Sequence, residues 1–194
     1  ELSSFDTKAA AGTPGLVGLV KGKRWLAAVA TDWWAAERAL GTMEAHFTST
    51  ARPDTASIES ALDQAIRFGK GARGGEGGGR DGVLRGRCGL ARRYEVAPGR
   101  HARREAATAT ARFADGRLAL WVASQSPETV RRAAAGALGI DTADVVLFPM
   151  PAGGSFDRRL EHDHAVEAAL IAREIGRPVQ LIWSRWQEHV AAPP

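Results

Sequence analysis

Between Gly69 and Gly82 eight of fourteen residues are glycine, and no other feature of this 194-residue chain restricts its fold as much. Glycine loses more backbone freedom on ordering than any other residue and brings no side chain to bury. Such a stretch builds no packed layer and reads as a linker. It is not a phosphate-binding loop, because the Gly-x-x-x-x-Gly-Lys-Ser/Thr pattern is absent and no strong strand leads into it. The chain is therefore expected to divide into residues 1–68, a Gly/Arg-rich connector over 69–91, and residues 92–194.

Charge follows the same division. The chain carries a formal +4, yet Arg67 to Arg104 alone holds eleven bases against three acids. A stretch like this is either a solvated surface or a contact for phosphate or an acidic partner. A non-catalytic module binding nucleic acid or a partner protein is thus an alternative function. No aromatic interleaving or recognition-helix pattern supports it. Hydrophobic content of 44% and charged content of 25% suit a globular chain. No apolar run approaches the roughly 20 residues that span a bilayer. The single cysteine, Cys88, excludes a disulfide framework and any cysteine-rich zinc or iron–sulfur site within these residues. The chain begins at Glu1 with no basic-then-apolar leader. The expectation is a processed chain or a piece of a longer one, cytoplasmic, with the periplasm open for a parent protein.

Local patterns predict alternating strands and helices. Residues 16–20 and 25–30 read as strands around the Lys21-Gly22-Lys23-Arg24 turn. Asp32 is placed to cap a helix whose Trp33, Ala36, Leu40, Met43 and Phe47 form one buried stripe, with Trp33 and Trp34 as core and flank packing. Thr55–Phe68 reads as a second helix with Ile58, Leu62, Ala65 and Ile66 on one side. Residues 107–113 and 118–124 flank Asp115-Gly116, a hairpin signal. Ser126-Pro127-Glu128 starts a helix that Gly139 ends. A strand over 145–148 leads through 149–154 into a helix over 158–175, closed by Gly176, and a last strand covers 179–183. This order predicts an α/β fold of mixed sheets with helices layered on them.

Chemistry is sparsely marked. Gly153-Gly154-Ser155-Phe156-Asp157 lies between a strand and a helix, where backbone N–H groups can approach an anion, and Arg158 and Arg159 add charge suited to phosphate. The same residues suit an ordinary tight turn with Asp157 as a helix cap. Glu161-His162-Asp163-His164 has one Glu-x-x-His pair, but carboxylate-bridged metal sites need a second. A solvated helix surface is the expectation there, and no metal ligand is assigned in the chain. Cys88 reads as a bland thiol.

From His101 the sequence resembles a known family. His101-Ala102-x-x-Glu105, Ala109-Thr110-Ala111-Arg112-Phe113-x-Asp115-Gly116-x-Leu118 and Trp121-Val122-Ala123-Ser124-Gln125-Ser126-Pro127 resemble, in order, the start of the molybdenum-binding region of xanthine dehydrogenase/aldehyde oxidase enzymes. Gly153-Gly154-Ser155-Phe156-Asp157-Arg158-Arg159 is similar to the family's Gly-Gly-Gly-Phe-Gly-Arg-Arg loop, and Gly176-Arg177-Pro178-Val179 with Trp183-Ser184-Arg185 is similar to its next strand. The isoquinoline 1-oxidoreductase beta-subunit type is the nearest subgroup, and residues 5–47 resemble the end of the preceding hammerhead domain. The resemblance implies a partial hammerhead-type segment over 1–68 and the first part of a molybdopterin-binding domain over 92–194. It implies hydroxylation of N-heterocycles or aldehydes with water, at a molybdenum–pterin centre in plain or cytosine dinucleotide form. Electrons would pass to iron–sulfur clusters on a small partner subunit. Gln125 would lie near the metal, and Gly153, Gly154, Ser155, Phe156, Asp157 and Arg158 would form the cofactor loop. The family's catalytic carboxylate lies downstream, so a fragment is expected: inactive alone, without retained cofactor, and needing the rest of the large subunit. Ser155 and Asp157 stand where the family has Gly, Ala106 where it has Pro, and Arg103-Arg104 where it has apolar-Pro residues.

Overall fold

In the computed structural model the described residues are 1–49, 54–71, 89–90, 92–96, 99, 103–156 and 158–191. Most of the Gly-rich stretch, Cys88 and His101 lie outside them. The chain divides into two units, Glu1–Thr48 with Pro98–Pro194, and Ser49–Ala97.

The larger unit is built on a four-stranded sheet of order β7-β6-β5-β8, with β5 Thr108–Ala114, β6 Arg117–Val122, β7 Val145–Pro149 and β8 Val179–Ile182. Asp115 and Gly116, at φ 51° and 73°, make the two-residue turn that joins β5 to β6. β6 and β7 run parallel, while β5 is antiparallel to both of its neighbours. A parallel pair needs a crossover, and α4 (Pro127–Leu138) supplies it. Pro127 fits its first turn and Gly139, at φ 69°, ends it. α5 (Asp163–Ile175) crosses the same sheet and stops at Gly176, φ 68°.

The core lies between this sheet and the two helices. β5 turns Ala109 and Ala111 inward and β6 turns Leu118, Leu120 and Val122. α5 answers with Ala165, Ala168, Ala169 and Ala172, four small side chains that let the helix sit close to the sheet. The opposite face of the sheet carries Trp121 stacked on Phe148, ring centroids 4.9 Å apart.

The hairpin of β2 (Leu16–Lys21) and β3 (Leu26–Ala30) adds Val20 and Ala27 to the same core. A side chain at Gly18 would press on Ile175 Cδ1 at 2.8 Å. Asp32 caps α2 (Trp33–Thr42), accepting from the Ala35 N–H. The buried line along α2 is Ala35, Ala39 and Met43. Met43 is buried as predicted, but Ala35 and Ala39 take the places expected of Ala36 and Leu40, and Trp33 and Phe47 are exposed by 42% and 53%, as is Trp34 by 63%. Trp33 instead donates its ring N–H to the Ile182 carbonyl at 3.3 Å. Short β1 (Leu2–Ser4), α1 (Thr7–Ala10) and β4 (His46–Phe47) complete this region.

The smaller unit contains α3 (Thr55–Phe68), started by a capping box in which Asp54 and Ser57 satisfy each other's backbone N–H. Arg93 bridges Asp63 and Glu95 beside it.

Candidate functional site

The carboxyl ends of a parallel strand pair are where open α/β sheets bind ligands. β6 and β7 form such a pair, and the chain leaving each is held against the other. Met150 N–H donates to the Val122 carbonyl at 3.1 Å, just past the two strand ends. The first loop carries Ser124, Gln125 and Ser126 into the N-terminus of α4, the second Gly153 to Phe156.

The link between these loops is Arg159. Its carbonyl accepts from Gln125 N–H at 3.0 Å and Ser124 Oγ at 3.3 Å. Its Nε donates back to the Gly154 carbonyl at 2.9 Å, and its guanidinium meets the Glu105 carboxylate. Glu105 Oε1 also accepts from Gly153 N–H at 2.7 Å. Arg159 is 4% exposed, so its charge is buried and compensated. Burial pulls the guanidinium below its ordinary value while Glu105 opposes the shift. The Gly153 N–H above all, and then the charges of Arg159 and Arg103, hold the Glu105 carboxyl below the usual carboxylate range.

The structure corrects three expectations here. Arg159 is no free surface charge for a phosphate: it is 4% exposed, its Nε is engaged by the Gly154 carbonyl and one terminal nitrogen by Glu105. The helix expected over 158–175 is interrupted: residues Arg158–Leu160 form a single 3-10 turn and α5 begins only at Asp163. In a continuous helix the Arg159 carbonyl would serve Asp163, but here Gln125 and Ser124 take it. The start of α5 also corrects the solvated-surface expectation for Glu161–His164. His164 is 5% exposed and meets the Trp183 ring edge-on at 6.0 Å. Among the described residues no three His, Cys, Asp or Glu side chains group as a metal site.

Of the expected cofactor residues, Gln125, Gly153, Gly154 and Phe156 are exposed and Ser155 is half-buried. Arg158 contributes backbone to the 3-10 turn, and Asp157 lies outside the described residues. The conformations are demanding. Gly154 sits at φ 95° and Phe156 at φ 49°, a left-handed position unusual for an aromatic residue. A Cβ on Gly153 would collide with the Glu105 carboxylate, and one on Gly154 would lie 2.8 Å from the Phe156 ring. Among the described residues nothing accepts from the N–H groups of Gly154 and Ser155, or pairs with the Gln125 side-chain amide. This donor set fits a phosphate-bearing pterin through backbone N–H groups and one neutral amide.

A second buried pair lies beside the first. Arg103, 4% exposed, meets Glu188 of α6 (Arg185–Ala191), and Glu188 also accepts from Ala107 N–H at 2.7 Å. Arg185 reaches the other carboxylate oxygen at 3.1 Å, while Arg103 Nε has no partner among the described residues. Sequence reasoning missed the buried charges Arg103 and Glu188 and the half-buried Glu105 as partners in these pairs. Their partners stand between 54 and 85 positions apart, a spacing with no local signature.

Taken as a class, this is an α/β domain with a glycine-rich ligand loop at the carboxyl ends of its parallel strands. Residues 86–193 match the molybdopterin cofactor-binding domain, more than half of the chain, and the chain belongs to that family, as its resemblance to molybdenum hydroxylase large subunits implied. The beta chain of isoquinoline 1-oxidoreductase from Brevundimonas diminuta is 44% identical over 72 residues, 37% of this chain and 9% of that protein. A nicotinate dehydrogenase subunit of Pseudomonas putida is 34% identical over 85 residues, 44% of this chain and 7% of that protein. The matched stretch thus spans less than a tenth of either relative. In fold the chain is similar to quinoline 2-oxidoreductase from Pseudomonas putida 86 (TM-score 0.66, 20% identity, 96% of this chain and 29% of that one). A Cu,Mo-CO dehydrogenase is also similar (TM-score 0.63, 16% identity, 96% and 30%). The mixed α/β fold class is borne out. Among the described residues no helix is long and apolar enough to cross a membrane.

Proposed function

We propose that this chain is the opening part of the cofactor domain of a molybdenum-dependent hydroxylase large subunit, preceded by the tail of a hammerhead-type domain over residues 1–68 and a connector over 69–91. The observation that carries the reading is the joining of the Gln125 turn and the Gly153–Phe156 loop at the ends of β6 and β7, with the Gly154 and Ser155 N–H groups turned to no partner among the described residues. Those N–H groups receive a pterin phosphate, and the Gln125 amide orients the pterin-bound group. When bound, that group supplies the two-electron oxidation that transfers a water-derived oxygen to an N-heterocycle or aldehyde. The two sequence relatives belong to enzymes named for isoquinoline and nicotinate, both N-heterocycles, and this favours the N-heterocycle.

The remaining roles are those that the family resemblance implies. The acid–base carboxylate would come from elsewhere in the large subunit. As the resemblance also implies, iron–sulfur clusters would sit on a separate small subunit, with which the single cysteine of these residues is consistent. The assembly is cytoplasmic, and the cofactor is molybdopterin in plain or cytosine dinucleotide form. The test is the molybdenum and pterin content of residues 1–194 purified alone, set against the longer polypeptide encoded around them. Less than stoichiometric molybdenum in the former and a full load in the latter is expected. A stoichiometric load, or turnover of an N-heterocycle by residues 1–194 alone, overturns it.

A further inference from the structure

Glu105 belongs to neither loop of the site. It lies in the segment that enters β5, yet its carboxylate is the only group outside both loops that holds Gly153 and Arg159 together among the described residues. We propose that Glu105 is a positioning residue for the phosphate-binding loop, which, with Arg159 as its lever, selects the Gly154 and Ser155 N–H groups as the donors that face the ligand. This rests on the cofactor reading given above.

The geometry works in two branches. In the first, Glu105 Oε1 accepts from Gly153 N–H at 2.7 Å, so that N–H points inward and is withdrawn from any ligand. The next two N–H groups are left to face out, with Gly154 held at φ 95°. In the second, the carboxylate orients the buried Arg159. That arginine grips the Gly154 carbonyl at 2.9 Å with its Nε and the Gln125 N–H at 3.0 Å with its carbonyl. One carboxylate therefore sets the loop directly and the Gln125 turn at one remove. Gly153 is glycine for the same reason, since a Cβ there would occupy the place of the Glu105 oxygen.

A merely charge-balancing role predicts something different. The Glu105 side chain is 42% exposed, so water can solvate it and it has no need of Gly153 for its own sake. Charge balance alone would leave the loop amides indifferent to which acceptor faces Arg159. Positioning makes both branches matter.

The experiment uses the 194-residue chain and three variants, Glu105→Ala, Glu105→Gln and Glu105→Asp. Amide hydrogen exchange at Gly153 and Gln125 is read against Ala109, Ala111 and Leu120 as internal references. Inorganic pyrophosphate is titrated while the Gly154 and Ser155 amide signals are followed. Removing a charge-assisted bond is expected to raise loop exchange by about tenfold and to weaken pyrophosphate by a similar factor in Glu105→Ala, with the reference amides unmoved. Glu105→Gln keeps an acceptor for Gly153 but loses the charge for Arg159, and falls between. Where Glu105→Ala lowers reference protection too, the Gln and Asp variants are compared instead. Unchanged loop exchange overturns the proposal, and so does faster exchange with unaltered pyrophosphate affinity, which would make Glu105 structural only. No pyrophosphate response in the unaltered chain accords with the weak retention expected of residues 1–194 alone; the exchange rates then decide the clasp on their own, and the molybdenum content of the longer polypeptide decides the cofactor reading.

Discussion

Two helices of nearly equal length fare very differently in this molecule. α5 (Asp163–Ile175) buries His164, Ala165, Ala168, Ala169, Ile171 and Ala172. α3 (Thr55–Phe68) buries nothing, although its apolar side is the bulkier, with Ile58, Leu62 and Ile66 exposed by 49%, 55% and 65%. Both have helical apolar spacing, and α3 has the better-made N-terminal cap. What separates them is the opposing surface. α5 faces Ala109 and Ala111 of β5, where small residues on both sides allow close approach. Helical spacing therefore reports which side of a helix is apolar, and only a facing element decides whether that side stabilises the fold.

The sharpest break between the two regions is expected from Leu120→Ala. Leu120 is fully buried in the sheet beneath α4 and α5. Truncation removes apolar contact and leaves a cavity, at a cost of about 2–5 kcal/mol. Urea unfolding followed by far-ultraviolet circular dichroism reads this as a lower midpoint with an unchanged slope. A loss below about 1 kcal/mol would mean that the α5 layer does not supply the stability attributed to it.

Second comes the electrostatic cost of α5's burial, a cost α3 does not carry. Glu167 is pushed up to about 7, first by burial and then by the charge of Asp163, against the opposing Trp183 ring N–H that donates to it at 2.9 Å. Its folded value lies above the ordinary 4.5, so the native state holds the proton more tightly than the unfolded chain does. The contribution to stability is complete below that ordinary value and is lost as pH rises through about 7. Glu167→Gln keeps an acceptor for Trp183 and never ionises. It should be more stable than the unaltered chain at pH 8, on the order of 2–3 kcal/mol, with the difference vanishing below about pH 4. Parallel stability profiles for the two proteins across that range would show that Glu167 is not desolvated.

The same contrast explains what could be read from the sequence. Asp115-Gly116, Pro127, Gly139 and Gly176 set the β5–β6 turn and the ends of α4 and α5 by local chemistry, and each is found where that chemistry places it. The bounds of α3 were legible too, because a cap and a period suffice. The interruption at 161–162 was not, since it depends on the Arg159 carbonyl being captured by residues 34 and 35 positions earlier. Nor was the exposure of Trp33 and Trp34, because bulk suggests burial while α2 packs instead through Ala35 and Ala39. The three-residue β1 and two-residue β4 are too short to show any alternation. At the site, motif resemblance pointed to Gln125 and the Gly153–Phe156 loop. The clasp of Glu105 and Arg159 that joins them is a contact across 54 residues, and one sequence holds no trace of it.

The smallest effect belongs to α3, and it tests the comparison from its weak side. Leu62 is 55% exposed, so Leu62→Ala removes almost no buried area, and alanine is itself the best helix former. The urea midpoint should move by less than about 0.5 kcal/mol, in contrast to Leu120→Ala. Asp54→Ala acts on the same helix by another route, taking away the carboxylate that accepts from Ser57 N–H at 2.7 Å. It should fray the first turn, seen as faster amide exchange at Ser57 and Ile58, without any change at Leu120. If Leu62→Ala instead destabilised the whole chain as Leu120→Ala does, the apolar side of α3 would have to be covered in solution. Its exposed stripe would then be an interface and not, as the contrast with α5 requires, a helix held by its own cap and by the ion pair of Arg67 with Asp63 one turn before it.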